Sequence, residues 1–430
     1  MTVRESAARA KKAALILAST KDTVRTAALL RIAEALQGEK ETIFQANASD
    51  MDRARRENLS EPLRKRLLFD EKKLDECAKG LLSLCKLSDP LGKTLFSMEM
   101  QKGLNLYQVS CPIGVIGVIF ESRPDALVQI ASLCLRSGNA VILKGGAEAM
   151  ETNRALYSSL HRAAVAAGIP DGFAVLLESR EDVRALLTLD DLVDLLIPRG
   201  SNAFVRHIID NSRIPVLGHA EGICHVYVDQ AADLSMAVDI VVDSKTQYVA
   251  VCNAAETLLV HEAAAERALP LLADALKKAG VSLRGCERTR AIIACEAADE
   301  SDWDREYLDS ILSIKIVDSL PEAIAHINRH GSGHTDAIIT DDEHAQRAFC
   351  AQVDSAGVFV NCSTRFSDGY RYGFGAEVGI ATGKLHARGP MGIDGLCTYK
   401  YKLIGHGQTV GGSKQYTHIE LRRDCPLEGY

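Results

Sequence analysis

Apolar residues recur at three- and four-residue intervals through the opening of the chain: Leu29, Leu30, Ile32 and Leu36, then Leu67, Leu68, Leu74, Leu81 and Leu82, all set among charges. That spacing predicts helices from Ser6 to about Lys86. Asp89-Pro90-Leu91-Gly92 breaks the pattern, and two short runs, FSMEMQ and LNLYQVS, follow between Leu95 and Ser110 on either side of Lys102 and Gly103. They predict a hairpin. A lone hairpin is marginal in water, so it needs another surface to lean on, such as a neighbouring subunit.

The pattern then alternates. Ile113 to Phe120 reads as an apolar strand, Asp125 to Ser137 as a helix closed by Gly138, Ala140 to Lys144 as a strand, and Ala147 to Ala167 as a helix closed by Gly168. Further strand-like runs are Phe173 to Leu177, Leu192 to Ile197 and Cys224 to Val228. Continuous apolar strands separated by helices predict an α/β protein with a parallel sheet covered on both faces. Such sheets bind ligands at the carboxyl ends of their strands.

Farther on, Ser244 to Val251 reads as a short helix with Ser244 as N-cap, Glu256 to His261 as a strand, and Glu262 to Ala279 as a helix. Ala297 to Asp304 reads as an acidic loop around the single tryptophan, Trp303. Ser319 with Glu322 and Thr340 with Glu343 have capping-box spacing, which predicts helices starting near Leu320 and Asp341. Gly357 to Asn361 reads as a strand. Cys362 to Gly395 is glycine-rich with little periodicity, which marks it as a functional loop and a candidate active-site wall. Leu396 to Ile404 reads as a late strand able to extend the hairpin near residue 100.

A chain of 430 residues exceeds one simple core and predicts two or three domains. A net charge of -7 without a basic block argues against nucleic acid as a partner. The apolar run Ala13 to Ala18 is too short for a signal core or a membrane span, so a cytoplasmic protein without a membrane partner is expected. The 12 cysteines are scattered from Cys77 to Cys425 without a CxxC pair, a distribution that predicts reduced thiols.

One of them stands apart. Cys252 lies at a break between two patterned segments, beside Asn253 and a few residues after Lys245. A thiol near backbone donors or a cation ionises more readily, and the thiolate is the nucleophile. The alternative is that Cys252 is a small buried hydrophobe, as most intracellular cysteines are. His326, His330 and His334 are spaced by four, which on a helix would make a metal face, but Gly331 and Gly333 interrupt that helix and no metal is expected.

Four stretches, CPIGVIGVIFESRPDALVQIASLCLRSGNAVILKGGAEA, DLLIPRGSNAFVR, Gln247 to His261, and Ser319 to Ile339 followed by GVFVNCSTRFSDG, together resemble the aldehyde dehydrogenase superfamily. Within it the chain is similar to the gamma-glutamyl phosphate reductase family, through ESRPD, IPRGSN, HINRHGSGHTDAI and NCSTRFSDG. The resemblance implies two parallel-sheet α/β domains and a small β oligomerisation flap. Residues 1–94 and 111–222 would bind the nucleotide, 223–385 would carry the nucleophile, and 95–110 with 386–430 would form the flap.

It also implies roles. Cys252 takes the place of the superfamily's nucleophile. Asn253 or Ser122 would serve the oxyanion, Ser122 standing where hydrolytic relatives have an asparagine. Lys144, at a strand end before Gly145 and Gly146, would meet the adenosine ribose or phosphate; by itself it reads as a solvated strand-end lysine. Gly200 and Ser201 match the turn near the cofactor phosphates, and Glu306 matches a glutamate that holds the nicotinamide ribose. NAD-preferring relatives carry a glutamate where this chain has Ala147, so NADPH is expected, with Glu148 next to it. The water-activating glutamate of hydrolytic relatives falls near Gly218, with Glu221 three residues on, so the hydrolytic base is missing. Arg123 and Arg365 would bind the substrate's anionic groups, with plain salt bridges as the alternative, and His334 and Thr335 would contact substrate or phosphate.

The implied reaction is NADPH-dependent reduction of L-glutamyl 5-phosphate to L-glutamate 5-semialdehyde through a cysteine thioester, the second step of proline biosynthesis. A homo-oligomer, dimer or tetramer, is implied, and the labile acyl phosphate suggests transient association with glutamate 5-kinase. A hydrolytic or other acylating aldehyde dehydrogenase and a catalytically silent oligomeric scaffold are the rival readings. Against the scaffold stands the ordered presence of Lys144, Gly200, Ser201 and Cys252.

Overall fold

The computed structural model describes residues 1–218, 221–412 and 418–420. Strands fall in chain order at β1 (Thr94–Gln101), β2 (Leu104–Pro112), β3 (Val115–Phe120), β4 (Ala140–Lys144), β5 (Ala174–Leu177) and β6 (Leu195–Arg199). They continue as β7 (Cys224–Val228), β8 (Ala255–His261), β9 (Ser282–Gly285), β10 (Glu296–Ala297), β11 (Ile311–Val317), β12 (Thr335–Ile339) and β13 (Gly357–Val360). The last are β14 (Gly379–Ala381), β15 (Gly389–Met391), β16 (Cys397–Ile404) and β17 (Ile419–Glu420).

Two compact units result. The first holds Met1–Leu217, Phe374–Gly379 and the described residues from Met391 onward; the second holds Gly218–Gly373 and Ile380–Pro390. The chain therefore returns to the first unit at 374–379, earlier than the expected boundary at 385. Residues 413–417 and 421–430 of the expected flap segment, Cys425 among them, lie outside the described residues.

In the first unit the helical opening becomes Val3–Leu17, Asp22–Gly38, Lys40–Arg56, Glu61–Leu67 and Glu71–Lys86. Leu29, Ile32, Leu36, Leu67, Leu74 and Leu81 turn inward, while Leu30, Leu68 and Leu82 face solvent. Four strands pair in parallel in the order β5-β4-β3-β6, and every residue of β3 and β4 is buried, which is why both runs are apolar without alternation. The hairpin β1–β2 leans on its own chain: β16 runs antiparallel along β2 from Cys397 opposite Pro112 to Ile404 opposite Asn105, and β17 adds to β1.

The second unit is a seven-stranded, wholly parallel sheet in the order β10-β9-β11-β8-β7-β12-β13. Its core packs Val226, Val228, Leu258, Val260, Leu312 and Ile314 against Leu269 and Leu272 of the helix Glu262–Lys278. Trp303 is buried, and the expected acidic loop holds the short helix Glu300–Asp304. Among the described residues the eleven cysteines are free thiols, and no helix is long and apolar enough to cross a membrane.

Three local expectations fail. The helix before Cys252 is Leu234–Thr246, capped by Asp233, and Ser244 is buried in its last turn instead of starting a new helix. Its hydroxyl donates to Ser363 Oγ and accepts from the Thr364 N–H, so distant chain claims the group that local spacing assigned to a cap. Thr340 is likewise spent on Asp229, and Asp342 caps the helix Glu343–Gln352. At Leu320–His330 Ser319 does cap, but Glu322 accepts from the Asp318 N–H, so the box is not closed on Ser319.

Lys245 and Glu256 form an ion pair at 2.6 Å with both side chains fully buried. Burial pushes Glu256 up to about 7 and Lys245 down, each opposed by the charge of the other. Lys245 is therefore committed to Glu256 and is not the cation expected beside the thiol. Removing one partner strands a charge in the core. Glu256→Leu should cost about 3–5 kcal/mol in chemical denaturation, and Lys245→Met with Glu256→Leu should recover most of it. Equal losses in the single and double variants would show that charge compensation is not what the pair supplies.

Candidate active site

Cys252 sits at the amino edge of the second unit's sheet. It ends an irregular turn three residues before β8, Cys224 opens the neighbouring β7, and His334 immediately precedes β12 on the far side of β7. Because β8, β7 and β12 are adjacent, three residues far apart in sequence meet. His334 Nε2 lies 3.2 Å from Cys252 Sγ, and His334 Nδ1 lies 2.9 Å from Thr335 Oγ1. His334 and Thr335 are fully buried. Thr335 thus faces the imidazole, where a substrate contact was expected.

Cys224 supports the same turn. Its S–H donates to the Cys252 carbonyl at 3.2 Å, and burial, reinforced by Asp336 and Cys252, raises its pKa well above the ordinary thiol value. It remains a neutral donor, so Cys252 is the thiol of the two suited to nucleophilic work. Gly222 lets the strands close in: a Cβ there would fall inside contact distance of the Cys252 Cα, Cβ and carbonyl oxygen. Ile223 N donates to Ser332 Oγ at 2.9 Å, fixing the approach to His334.

The expected active-site wall braces this turn through 363–367. Asn253 Nδ2 donates to the Ser367 carbonyl at 2.8 Å, and Thr364 Oγ1 donates to the Asn253 carbonyl at 2.7 Å. The Asn253 amide is thereby engaged as a brace, which competes with the oxyanion role expected of it. Arg365 is buried to 7% exposure, and its Nε donates to Gln247 Oε1 at 3.0 Å. Burial lowers its pKa and Arg371 adds to that, while Asp368, Cys252 and Asp243 oppose the shift. Arg365 is thus a buried cation electrostatically coupled to Cys252.

His326 and His330 remain on their helix with ring centroids 4.5 Å apart, and His334 has left for Cys252. Among the described residues no group of His, Cys, Asp and Glu is placed to hold a metal ion. Glu306 lies in the segment between the short helix Glu300–Asp304 and β11; its neighbour Tyr307 bonds Asp302 and Ser313, and Leu308 N donates to Glu256. Glu221 is exposed, and the intervening His219 and Ala220 lie outside the described residues.

In the first unit the candidate cofactor residues occupy carboxyl ends, as parallel sheets lead one to expect. Lys144 closes β4, Glu121 and Ser122 follow β3, and Gly200 and Ser201 follow β6. The Lys144 ammonium donates to the Gly145 carbonyl at 2.6 Å. Ser122, at φ 44°, donates both its N–H and its hydroxyl to Glu148 Oε1 at 2.6 and 2.7 Å. Ser201 N donates to Glu121 Oε2 at 3.1 Å. Backbone donors at these turns, already donating to carboxylate oxygens, suit a phosphate-bearing cofactor. Gly145 has a different reason to be glycine, since a Cβ would collide with Asn153. Arg123 is an exposed partner of Asp125 at 3.0 Å.

Sequence reasoning missed Cys224, Gly222 and Thr364. Cys224 and Gly222 carry no motif of their own, and the only available signal was their place at the start of an apolar strand.

Comparison with known proteins shows the family. The model of the aldehyde dehydrogenase family matches residues 1–291. A gamma-glutamyl phosphate reductase from Pelotomaculum thermopropionicum is 57% identical over 428 residues, 99% of each chain. One from Acetivibrio thermocellus is 56% identical over 431 residues, covering 99% of this chain and all of the relative. The crystal structure of a gamma-glutamyl phosphate reductase from Thermotoga maritima superposes with a TM-score of 0.93 at 39% identity, over 95% of this chain and 100% of that one. Matched along nearly its whole length, the chain belongs to the aldehyde dehydrogenase family and, within it, to the gamma-glutamyl phosphate reductases.

Proposed function

We propose that the chain reduces L-glutamyl 5-phosphate to L-glutamate 5-semialdehyde and phosphate, the reaction its family serves in proline biosynthesis, with NADPH as reductant and a thioester on Cys252. The observation that carries this reading is the 3.2 Å contact between Cys252 Sγ and His334 Nε2. In the tautomer that carries its proton on Nδ1, 2.9 Å from Thr335 Oγ1, Nε2 accepts the thiol proton. The thiolate attacks the acyl carbon, and the imidazolium protonates the departing phosphate. Arg365 supplies positive charge in the same unit for an anionic group of the substrate. When bound, the reduced nicotinamide supplies the hydride for the thioester, after which the tetrahedral adduct on Cys252 releases the aldehyde and the thiolate.

A nicotinamide cofactor comes with the aldehyde dehydrogenase family. Lys144, Gly146, Gly200 and Ser201 would hold its ribose and phosphates, and Glu306 its nicotinamide ribose. NADPH in particular is supported by Ala147, which brings no carboxylate, and by Glu148, whose carboxylate is engaged by Ser122. Phosphorolysis instead of hydrolysis is supported by Gly218 where a water-activating glutamate would stand.

Two measurements bear on this chemistry. With glutamate semialdehyde and NADP, the purified protein should form NADPH only when inorganic phosphate is present, and Cys252→Ala should abolish the signal while NADPH binding survives. NADPH formation without phosphate would mean that water reaches the thioester and that the rival hydrolytic reading is right. His334→Gln should slow both selective alkylation of Cys252 and turnover, the latter by about a hundredfold or more. Alkylation at the wild-type rate would remove His334 as proton acceptor.

The antiparallel sheet is the proposed oligomerisation flap. Tyr399, Tyr401 and Leu403 share one face of its end strand β16 and are 51%, 60% and 52% exposed. Light scattering should give a dimer or tetramer, and Tyr401→Lys should lower the mass; a monomeric wild type would sink the idea. The lability of an acyl phosphate further motivates transient association with glutamate 5-kinase, which added kinase in the same experiment tests, co-elution supporting it and separate elution at high concentration excluding a stable complex.

A further inference from the structure

The strand order β5-β4-β3-β6 reverses direction at β3: the chain steps from β3 to β4 to β5 on one side, then returns to place β6 on the other. The crevice beyond the carboxyl ends of β3 and β6 is therefore the topological switch point, where open α/β sheets bind ligands. Glu121 N donates to the Arg199 carbonyl at 3.1 Å across that point, closing the two strand ends together. Just past it, Ser201 is the N-cap of the helix Asn202–Asn211 and makes no side-chain capping bond of its own. The cap comes from Glu121, whose Oε2 accepts the Ser201 N–H. Gly200 makes this approach possible, since a Cβ there would lie 2.5 Å from Glu121 Oε2 and 2.8 Å from Phe204.

A second carboxylate at a helix start provides the contrast. Asp50 is fully buried, accepts from Glu151 N, Thr152 N and Thr152 Oγ1, and is paired with Arg53 at 2.5 Å. That is a permanent structural cap, neutralised in place. Glu121 is exposed, holds one donor, and among the described residues has no salt-bridge partner. Its carboxylate is free to exchange at a point built for an anion.

We infer that Glu121 sets cofactor affinity by competing, through its carboxylate on the Ser201 N–H, with a phosphate of the bound dinucleotide. The inference rests on the cofactor reading given above. A carboxylate and a phosphate drawn to one N–H repel each other, so binding exchanges one anion for another, and the helix terminus keeps a negative partner throughout. The exchange weakens binding relative to a turn without the carboxylate.

The test is isothermal titration of the full chain with NADP, and with inorganic pyrophosphate as a phosphate-only probe. Glu121→Gln should bind both about three- to tenfold more tightly than wild type, through loss of the competing charge. Its unliganded melting temperature should fall, and its rise on adding NADP should exceed that of wild type. Glu121→Asp, which draws the carboxylate back by one methylene, should move affinity the same way and stands in should the glutamine variant fold poorly. Weaker binding would make Glu121 a ligand for the cofactor, unchanged binding would leave it a plain helix cap, and either overturns the inference. If neither wild type nor variants bind NADP, the cofactor reading itself falls and takes the inference with it.

Discussion

The buried pair of Lys245 and Glu256 joins the end of the helix before Cys252 to the start of the strand after it, and the turn carrying Cys252 hangs between those two points. Such a turn has no repeating hydrogen bonds of its own, so its geometry comes from what is attached to it. Lys245 and Glu256 hold its base, Thr364 and Ser367 hold Asn253, and Cys224 holds the Cys252 carbonyl. Glu256 also accepts from Leu308 N, so the same charge pair reaches the segment that carries Glu306. Two charges placed in the core are a risk unless each is matched, and here the match sits where position matters most.

The two sheets use opposite ends. In the first unit the candidate residues lie where β3, β4 and β6 finish, and helix starts there present N–H groups to anions. In the second unit Cys252, Cys224 and His334 lie where β8, β7 and β12 begin. The candidate residues of the first unit follow the rule that parallel sheets bind at carboxyl ends, and those of the second unit stand at the opposite ends. Cys252 stands three residues before a central, fully paired strand, and its turn is fixed by that strand and by the side chains attached to it. Its neighbours then come free of charge in sequence terms, because any residue at the start of an adjacent strand stands beside it.

Polar side chains were the least predictable part of the chain. Ser244, Thr340 and Glu322 each had the local spacing of a helix cap, and each makes its decisive bond elsewhere: Ser244 with Ser363, Thr340 with Asp229, Glu322 with the Asp318 N–H. A hydroxyl or carboxylate takes whichever donor or acceptor the fold brings nearest, so local spacing offers a partner without deciding it. Apolar residues behave otherwise. Ala140 to Lys144 emerged as a strand with those same bounds, because a run buried on both faces has one way to satisfy itself.

Periodicity was enough to determine the helical opening, the alternating α/β body, the hairpin and the late strand that joins it, because burial acts on each segment's own pattern. The order of motifs was enough to show the family, and with it to make Cys252, Lys144, Gly200 and Ser201 the candidates. What only the tertiary structure decided is which of these meet. His334 follows Cys252 by 82 positions and Cys224 precedes it by 28, and they converge because β8, β7 and β12 are neighbours in an order that no local pattern encodes. Strand adjacency is settled by how whole helices and sheets pack, and a linear spacing cannot carry that information.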